Sequence, residues 1–262
     1  RTLVKKNSYS IERICMRICF CKHRTENDMK SENITREQLC AMFDHTNLKP
    51  YAVKNDFEKL CAEASANNFA MVAVNSVQTA VCKEFLKGTS VHVGAAIGFP
   101  LGQVSMEVKI FETKVAIADG ADEIDYVINI GEAKEGNWDY IRNEMKEMVS
   151  LCKKSNVISK VIFEICYLTE EEIVNIAKIA KDVQPDFVKT STGFGTGGAT
   201  EDVVRLMKKT VGSCVNVKAA GGIRDWETCA KMIDAGAVRI GTSSSIKILE
   251  EFEDWKRKKE NN

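Results

Sequence analysis

From Thr35 onward, short apolar runs alternate with amphipathic helical stretches, and this alternation constrains the fold more than any other feature of the 262 residues. Eight runs read as strands, at residues 43–46, 70–75, 91–97, 123–130, 160–166, 187–190, 215–219 and 238–241. Helical patterns lie between most of them, at 56–67, 104–119, 138–154, 170–181, 201–211 and 226–235. Runs that are apolar on both faces suit parallel strands covered by helices, and eight βα units of about 20 to 35 residues close into a barrel. The expected fold is α/β, a single-domain (β/α)8 TIM barrel. A doubly wound open sheet is the alternative, but no Gly-x-Gly-x-x-Gly follows the first strand to support a dinucleotide site. Helix starts are legible: Thr35, Thr169 and Thr200 each precede acidic or amide residues, placing a hydroxyl cap ahead of first-turn acceptors.

Residues 1–30 read as an appendage, and 31–262 as the barrel domain. The segment from Arg13 to Arg24 is basic and cysteine-rich, features shared with organelle transit peptides. A metal site at Cys15, Cys19, Cys21 and His23 has the ligand types but no common zinc spacing. Met29 is a plausible start just ahead of the first helix.

Charge and cysteine usage bound the partners. Lys+Arg and Asp+Glu both number 37, so no net field favours a nucleic acid or an anionic membrane, and a small molecule is the expected partner. No apolar stretch reaches the roughly 20 residues that span a bilayer. The ten cysteines are scattered over helix and strand positions and read as reduced thiols of an intracellular protein. Three histidines, His23, His45 and His92, are too few for a His-rich metal centre, which leaves catalysis to lysine and carboxylate chemistry.

In a barrel of this kind the active site forms at strand C-termini and the loops that follow. Those ends carry Asp44, His45, Thr46 and Asn47 on strand 1, and Asn75 and Ser76 on strand 2. Strand 4 adds Asp125 and Asn129, strand 5 Glu164, strand 6 Lys189 with Thr190, Ser191 and Thr192, and strand 7 Lys218. Lys189 and Lys218 each end an apolar run and are followed at once by small, hydroxyl or glycine residues. An ammonium buried beside a second cation is destabilised, so a fraction becomes a free amine able to form a Schiff base. The bland alternative is a lysine that snorkels out to solvent. Asp125 shares a strand face with Glu123 and is costly there unless paired, with the two lysines as the obvious partners and a structural ion pair as the alternative. Glu164 poses the same problem.

Nine of the sixteen glycines fall between Gly193 and Gly241, concentrated in the runs 189–198, 221–224 and 241–245 after strands 6, 7 and 8. Glycine lets backbone N–H groups approach an anion closely, and serines opening the last helix add donors at its positive end. This is the usual phosphate position in such barrels. Arg224 could add a charge, or pair locally with Asp225.

The runs Asp44-His45-Thr46-Asn47-Leu48, Ile97-Gly98-Phe99-Pro100-Leu101-Gly102, Gly120-Ala121-Asp122-Glu123-Ile124-Asp125, Val188-Lys189-Thr190-Ser191-Thr192-Gly193-Phe194, Val217-Lys218-Ala219-Ala220-Gly221-Gly222-Ile223-Arg224 and Arg239-Ile240-Gly241-Thr242-Ser243 together closely resemble the deoxyribose-phosphate aldolases. The resemblance spans about residues 35–250. It implies a class I, metal-free lyase without cofactors that reversibly cleaves 2-deoxy-D-ribose 5-phosphate to D-glyceraldehyde 3-phosphate and acetaldehyde in deoxyribonucleoside catabolism. It further implies a cytoplasmic enzyme and a homodimer. By the same resemblance Lys189 is the Schiff-base nucleophile, Lys218 lowers its pKa, Asp125 shuttles protons through a water and Asp44 supports that relay. Thr192, Gly193, Gly221, Gly222, Ser243 and Ser244 would hold the phosphosugar. Two departures stand out: Ala73-Val74-Asn75-Ser76 lacks the cysteine and proline common at the end of strand 2, and the chain ends without the terminal tyrosine of some relatives. These bear on turnover and aldehyde tolerance.

Overall fold

The computed structural model describes residues 30–260. Eight parallel strands form a closed barrel in sequence order: β1 (Phe43–Asn47), β2 (Met71–Asn75), β3 (His92–Ile97), β4 (Glu123–Val127), β5 (Ile158–Ile162), β6 (Phe187–Lys189), β7 (Asn216–Ala220) and β8 (Arg239–Thr242). Pairing of Phe43 with Ile240 and of Asp44 with Gly241 seals the first strand to the last. Around the strands run α1 (Arg36–Cys40), α2 (Lys54–Ala66), α3 (Thr79–Phe85), α4 (Met106–Ala118), α5 (Ile130–Lys134), α6 (Trp138–Lys154), α7 (Glu170–Val183), α8 (Glu201–Val211), α9 (Trp226–Asp234) and α10 (Ser245–Glu260). The barrel expected from the alternation is the barrel observed. The cysteine and histidine cluster at 15–23 lies outside the described residues.

Strand alternation divides the molecule into two interiors of opposite character. Outward-facing Val72, Val74, Val93, Ile97, Ile124, Tyr126, Val161, Val188, Val217 and Ile240 join the helices in one continuous apolar core. Inside the barrel, where bulky aliphatics usually stack in layers, stand Asp44, Glu123, Asp125, Lys160, Lys189, Lys218 and Arg239 beside a small apolar group of Ala70, Met71 and Ala73. Burial of the outer apolar layer drives closure, and the inner layer must then neutralise its own charges.

Several boundaries differ from the sequence reading, each for a local reason. The fourth strand stops at Val127 because Asn129 caps α5, its side-chain oxygen accepting from the Glu132 N–H at 3.3 Å. Asn129 therefore does not continue the face of Glu123 and Asp125. The fifth strand is Ile158–Ile162 rather than 160–166, since Glu164 turns into the left-handed region at φ 57°. The shift places Lys160 in mid-strand. Helices α6 and α8 keep the expected bounds, and α3 and α5 are too short for their periodicity to show. Thr35 makes the expected capping box, its hydroxyl accepting from the Gln38 N–H at 3.2 Å while its own N–H donates to Gln38 Oε1 at 2.9 Å.

Candidate active site

Six side chains that face inward from five strands meet in one closed ring of alternating charge. Glu123 pairs with Lys160; Lys160 Nζ lies 2.6 Å from Asp125 Oδ1; Asp125 Oδ2 lies 2.6 Å from Lys218 Nζ. The circuit continues from Lys218 Nζ to Asp44 Oδ2 at 2.5 Å, from Asp44 Oδ1 to Arg239 Nε at 2.8 Å, and from Arg239 Nη2 back to Glu123 Oε2 at 3.1 Å. Three carboxylates and three cations sum to zero. Lys189 is the seventh member, outside the ring, donating to Asp125 Oδ2 at 2.9 Å. His92 attaches at the far end, its Nδ1 2.8 Å from Glu123 Oε1.

This count explains which group gives up a proton. An ammonium on Lys189 would leave the buried set one charge too positive. Burial, the largest influence, lowers the Lys189 pKa to about 8; Asp125 opposes this and the neighbouring Lys218 reinforces it. At pH 7 about a tenth of Lys189 is then free amine, against less than about 0.1% for an ordinary lysine. Lys160 behaves oppositely: burial disfavours its charge, but Asp125 and Glu123 outweigh burial and raise its pKa. Burial likewise works against the Asp125 carboxylate, yet Lys160 first, then Lys189 and Lys218, hold it well below the usual range. Asp125 is thus an anion touching three amines, one of them with a lowered pKa.

Above the ring a cavity of about 510 Å³ opens at the C-terminal face of the barrel. Lys189 reaches it, together with Thr192, Gly193, Gly221, Gly222 and Ser243. Ser244 follows directly, its N–H donating to Thr242 Oγ1 at 2.9 Å ahead of α10. The loops after β6 and β7 approach so closely that a Cβ on Gly198 would lie 2.2 Å from the Gly221 carbonyl oxygen, and Gly221 itself takes φ 87°. Only glycine fits both positions. Another part of the cavity wall comes from the β1 end and α2, including His45, Lys59 and Glu63, and Arg224 also lines the cavity.

Asp44, Asp125 and Lys218 lie directly beneath this floor, so the structure brings the four expected catalytic side chains together. Glu164 departs from expectation. Among the described residues it makes no ion pair; its carboxylate accepts from the Thr192 N–H and from the Thr192 hydroxyl, bracing the loop that carries Gly193, and burial raises its pKa while those hydrogen bonds and the nearby Lys189 oppose the shift. His45 is spent on architecture, with Nδ1 3.1 Å from Ser245 Oγ and Nε2 2.9 Å from Glu63 Oε2. Asn75 and Ser76 bond to the Leu48 carbonyl and to Glu112. The sequence reading misses Lys160 and Arg239 as site residues. Their signal is parity: each occupies an inward position on a strand whose neighbours carry inward acids.

Comparison with known proteins agrees with this geometry. Residues 38–249 match the family model described as DeoC/LacD family aldolase. The chain is 53% identical over 225 residues to a deoxyribose-phosphate aldolase of Bacteroides thetaiotaomicron, covering 86% of this chain and 94% of that one. It is 54% identical over 214 residues to the deoxyribose-phosphate aldolase of Thermococcus gammatolerans, covering 81% and 95%. Among solved structures, the deoxyribose phosphate aldolase of Aeropyrum pernix, described as a unique tetramer, superposes with a TM-score of 0.81 at 30% identity over 89% of this chain and 99% of that one. A barrel whose inward lysine sits on a carboxylate under a glycine-lined cavity defines a Schiff-base aldolase in class. The chain belongs to the DeoC/LacD family of aldolases.

Proposed function

We propose that this aldolase cleaves 2-deoxy-D-ribose 5-phosphate reversibly to D-glyceraldehyde 3-phosphate and acetaldehyde, through an imine on Lys189. The observation that carries the reading is the Lys189 amine, partly neutral, 2.9 Å from Asp125 at the floor of a cavity whose opposite wall is glycine backbone. The neutral amine attacks the C1 aldehyde of the open-chain sugar, and loss of water gives the iminium. Asp125, through a water, takes the C3 hydroxyl proton; the C2–C3 bond breaks and its electron pair flows into the iminium as an enamine. Protonation of the enamine and hydrolysis release acetaldehyde and free Lys189. Asp44 holds Lys218 against Asp125, and Lys218 adds to burial in lowering the Lys189 pKa. Thr192, Gly193, Gly221, Gly222, Ser243 and Ser244 form the phosphate end, where backbone N–H groups and the start of α10 favour an anion. The carboxylates are already paired with two or more cations each, consistent with a reaction whose electron sink is the iminium.

Borohydride reduction with deoxyribose 5-phosphate or acetaldehyde is expected to leave a mass adduct on the Lys189 peptide; an unmodified Lys189 under turnover conditions overturns the assignment. Lys218→Leu removes a cation from beside Lys189 and leaves Asp125 free to hold the ammonium, so the acid limb of kcat/KM should move to higher pH. Imine formation at pH 7 should fall by about tenfold or more, with inorganic phosphate inhibiting as before. Equal losses in imine formation and phosphate affinity would contradict the role.

The same reading places the catalytic domain at residues 31–262, with residues 1–30 as an appendage, in a reducing cytoplasm; the seven described cysteines are all unpaired. Among the described residues no helix is long and apolar enough to cross a membrane. A homodimer completes it. On α4 Val108, Phe111 and Val115 are exposed at helical spacing, Phe111 by 69%, beside exposed Leu101 and Val77. Antiparallel packing of α4 on its copy sets Glu107 against Lys114 twice. Sedimentation should show a dimer that Phe111→Glu converts to monomer, and a monomeric parent protein would exclude it.

A further inference from the structure

The half of the charge ring remote from the cavity touches nothing that a substrate could reach. Glu123 is fully buried, and among the described residues its carboxylate pairs with Lys160, Arg239 and His92. Arg239 stacks its guanidinium over the Phe187 ring, 5.6 Å from the centroid, and contacts Asp44 and Glu123. Neither lines the cavity. Yet ionised groups at the end of a barrel remote from its cavity are expensive, and a ring of aliphatic residues would fill the same space at lower cost.

We propose that Glu123 and Arg239 are positioning residues for the aldol reaction, closing the ring from below so that Asp125 and Lys218 are held around Lys189 and Lys189 remains the one unbalanced cation of the set. This rests on Lys189 being the Schiff-base lysine. Two members straddle both halves. Lys160 gives its ammonium to Glu123 below and to Asp125 Oδ1 above, which leaves Asp125 Oδ2 to face Lys189 and Lys218. Asp44 gives Oδ1 to Arg239 and Oδ2 to Lys218. Strand register supports the arrangement: Asp125 is level with Lys160, Lys189 with Lys218, and Lys218 with Arg239. Gly241 makes the room, since a Cβ there would lie 3.1 Å from Lys218 Cε.

Every strand's contribution around Glu123 is accounted for. Charged or titratable groups come from β1 (Asp44), β3 (His92), β4 (Asp125), β5 (Lys160), β6 (Lys189), β7 (Lys218) and β8 (Arg239). The remaining strand, β2, offers Met71, whose sulfur lies 3.3 Å from Lys160 Nζ. His92, about one fifth exposed, is the ring's contact with the opposite face of the barrel.

Charge balance makes signed predictions that geometry alone does not. Glu123→Gln leaves the ring one charge positive, so Lys189 should lose its proton more readily. The acid limb of kcat/KM, and of borohydride trapping with acetaldehyde, should move to lower pH by about one unit at an effective dielectric of about 20. Arg239→Met leaves the ring one charge negative and should move both limbs to higher pH by a similar amount. If the two residues merely pack, both variants lose activity with the limbs unmoved or moved the same way, and the proposal fails. Should either variant not fold by circular dichroism, His92→Lys and His92→Glu test the same rule from the accessible end, with limbs moving down and up respectively by a smaller amount; limbs that do not separate overturn it. An absent Lys189 adduct in the parent protein condemns the Schiff-base assignment, whereas a normal adduct with unmoved limbs condemns the ring alone.

Discussion

Lys189→Met should produce an enzyme that is inactive and more stable than its parent. The loss follows from removing the proposed covalent nucleophile, for which a fall of about 10⁴-fold or more in kcat is expected. The gain follows from linkage. Folding takes Lys189 from an ordinary value of 10.5 down to about 8, so the folded state binds this proton more weakly than the unfolded chain does. Below pH 8 both states carry the proton and the folded state bears the full penalty, about 3 kcal/mol at 1.36 kcal/mol per pH unit. The penalty shrinks as pH rises from 8 to 10.5 and is absent above. Methionine fills the space without a charge and leaves the six-membered ring neutral. At pH 7 the variant should therefore unfold at higher temperature or denaturant concentration, and the advantage should vanish near pH 10.5. A variant less stable than the parent at pH 7 would show that Lys189 is stabilised by Asp125 more than burial costs it, and that its amine is not the activated one.

A stability gain on losing a catalytic residue is the mark of strain held for function. It also shows which parts of the site a sequence can disclose. Lys189, Lys218 and Asp125 are legible because each stands at or near the end of an apolar run, where a charge is conspicuous and the barrel gives strand ends a shared destination. The glycines after β6, β7 and β8 are legible for the same reason. Lys160 is not. Reading its strand two residues late puts it at the start of the run, where a lysine is unremarkable, while the chain's turn at Glu164 moves it to the centre. Its meeting with Asp125 depends on inter-strand register, which is set by barrel closure and not by any local pattern. Arg239 opens β8 and reads as a surface residue until Asp44 and Glu123 are brought beneath it. Glu164 misleads in the other direction, since its hydrogen-bond partner is Thr192, the third residue after β6, and not a cation. Alternation thus settles the barrel and makes the two strand-end lysines conspicuous, whereas the ring that surrounds them is a property of closure.

Asp125→Asn should reverse the balance seen with Lys189. Asp125 is the carboxylate on which Lys160, Lys189 and Lys218 converge, and its removal leaves buried cations short of a counter-charge. Breaking a buried pair from one side costs about 3 to 5 kcal/mol, so this variant should be markedly less stable at pH 7. The effect on chemistry should divide by step. Without its anion Lys189 holds a proton less tightly, and imine formation with acetaldehyde, read by borohydride trapping, should persist and extend to lower pH. Cleavage of deoxyribose 5-phosphate needs a base at the C3 hydroxyl and should fall by about 10² to 10⁴-fold. Trapping retained with turnover lost assigns the carboxylate to proton transfer and the amine to bond formation. Trapping lost in step with turnover would mean that Asp125 acts by placing Lys189, and that another group takes the proton. Stability follows the charge count in both variants: removing the unbalanced cation relieves the cluster, and removing the anion that three amines share exposes all of them.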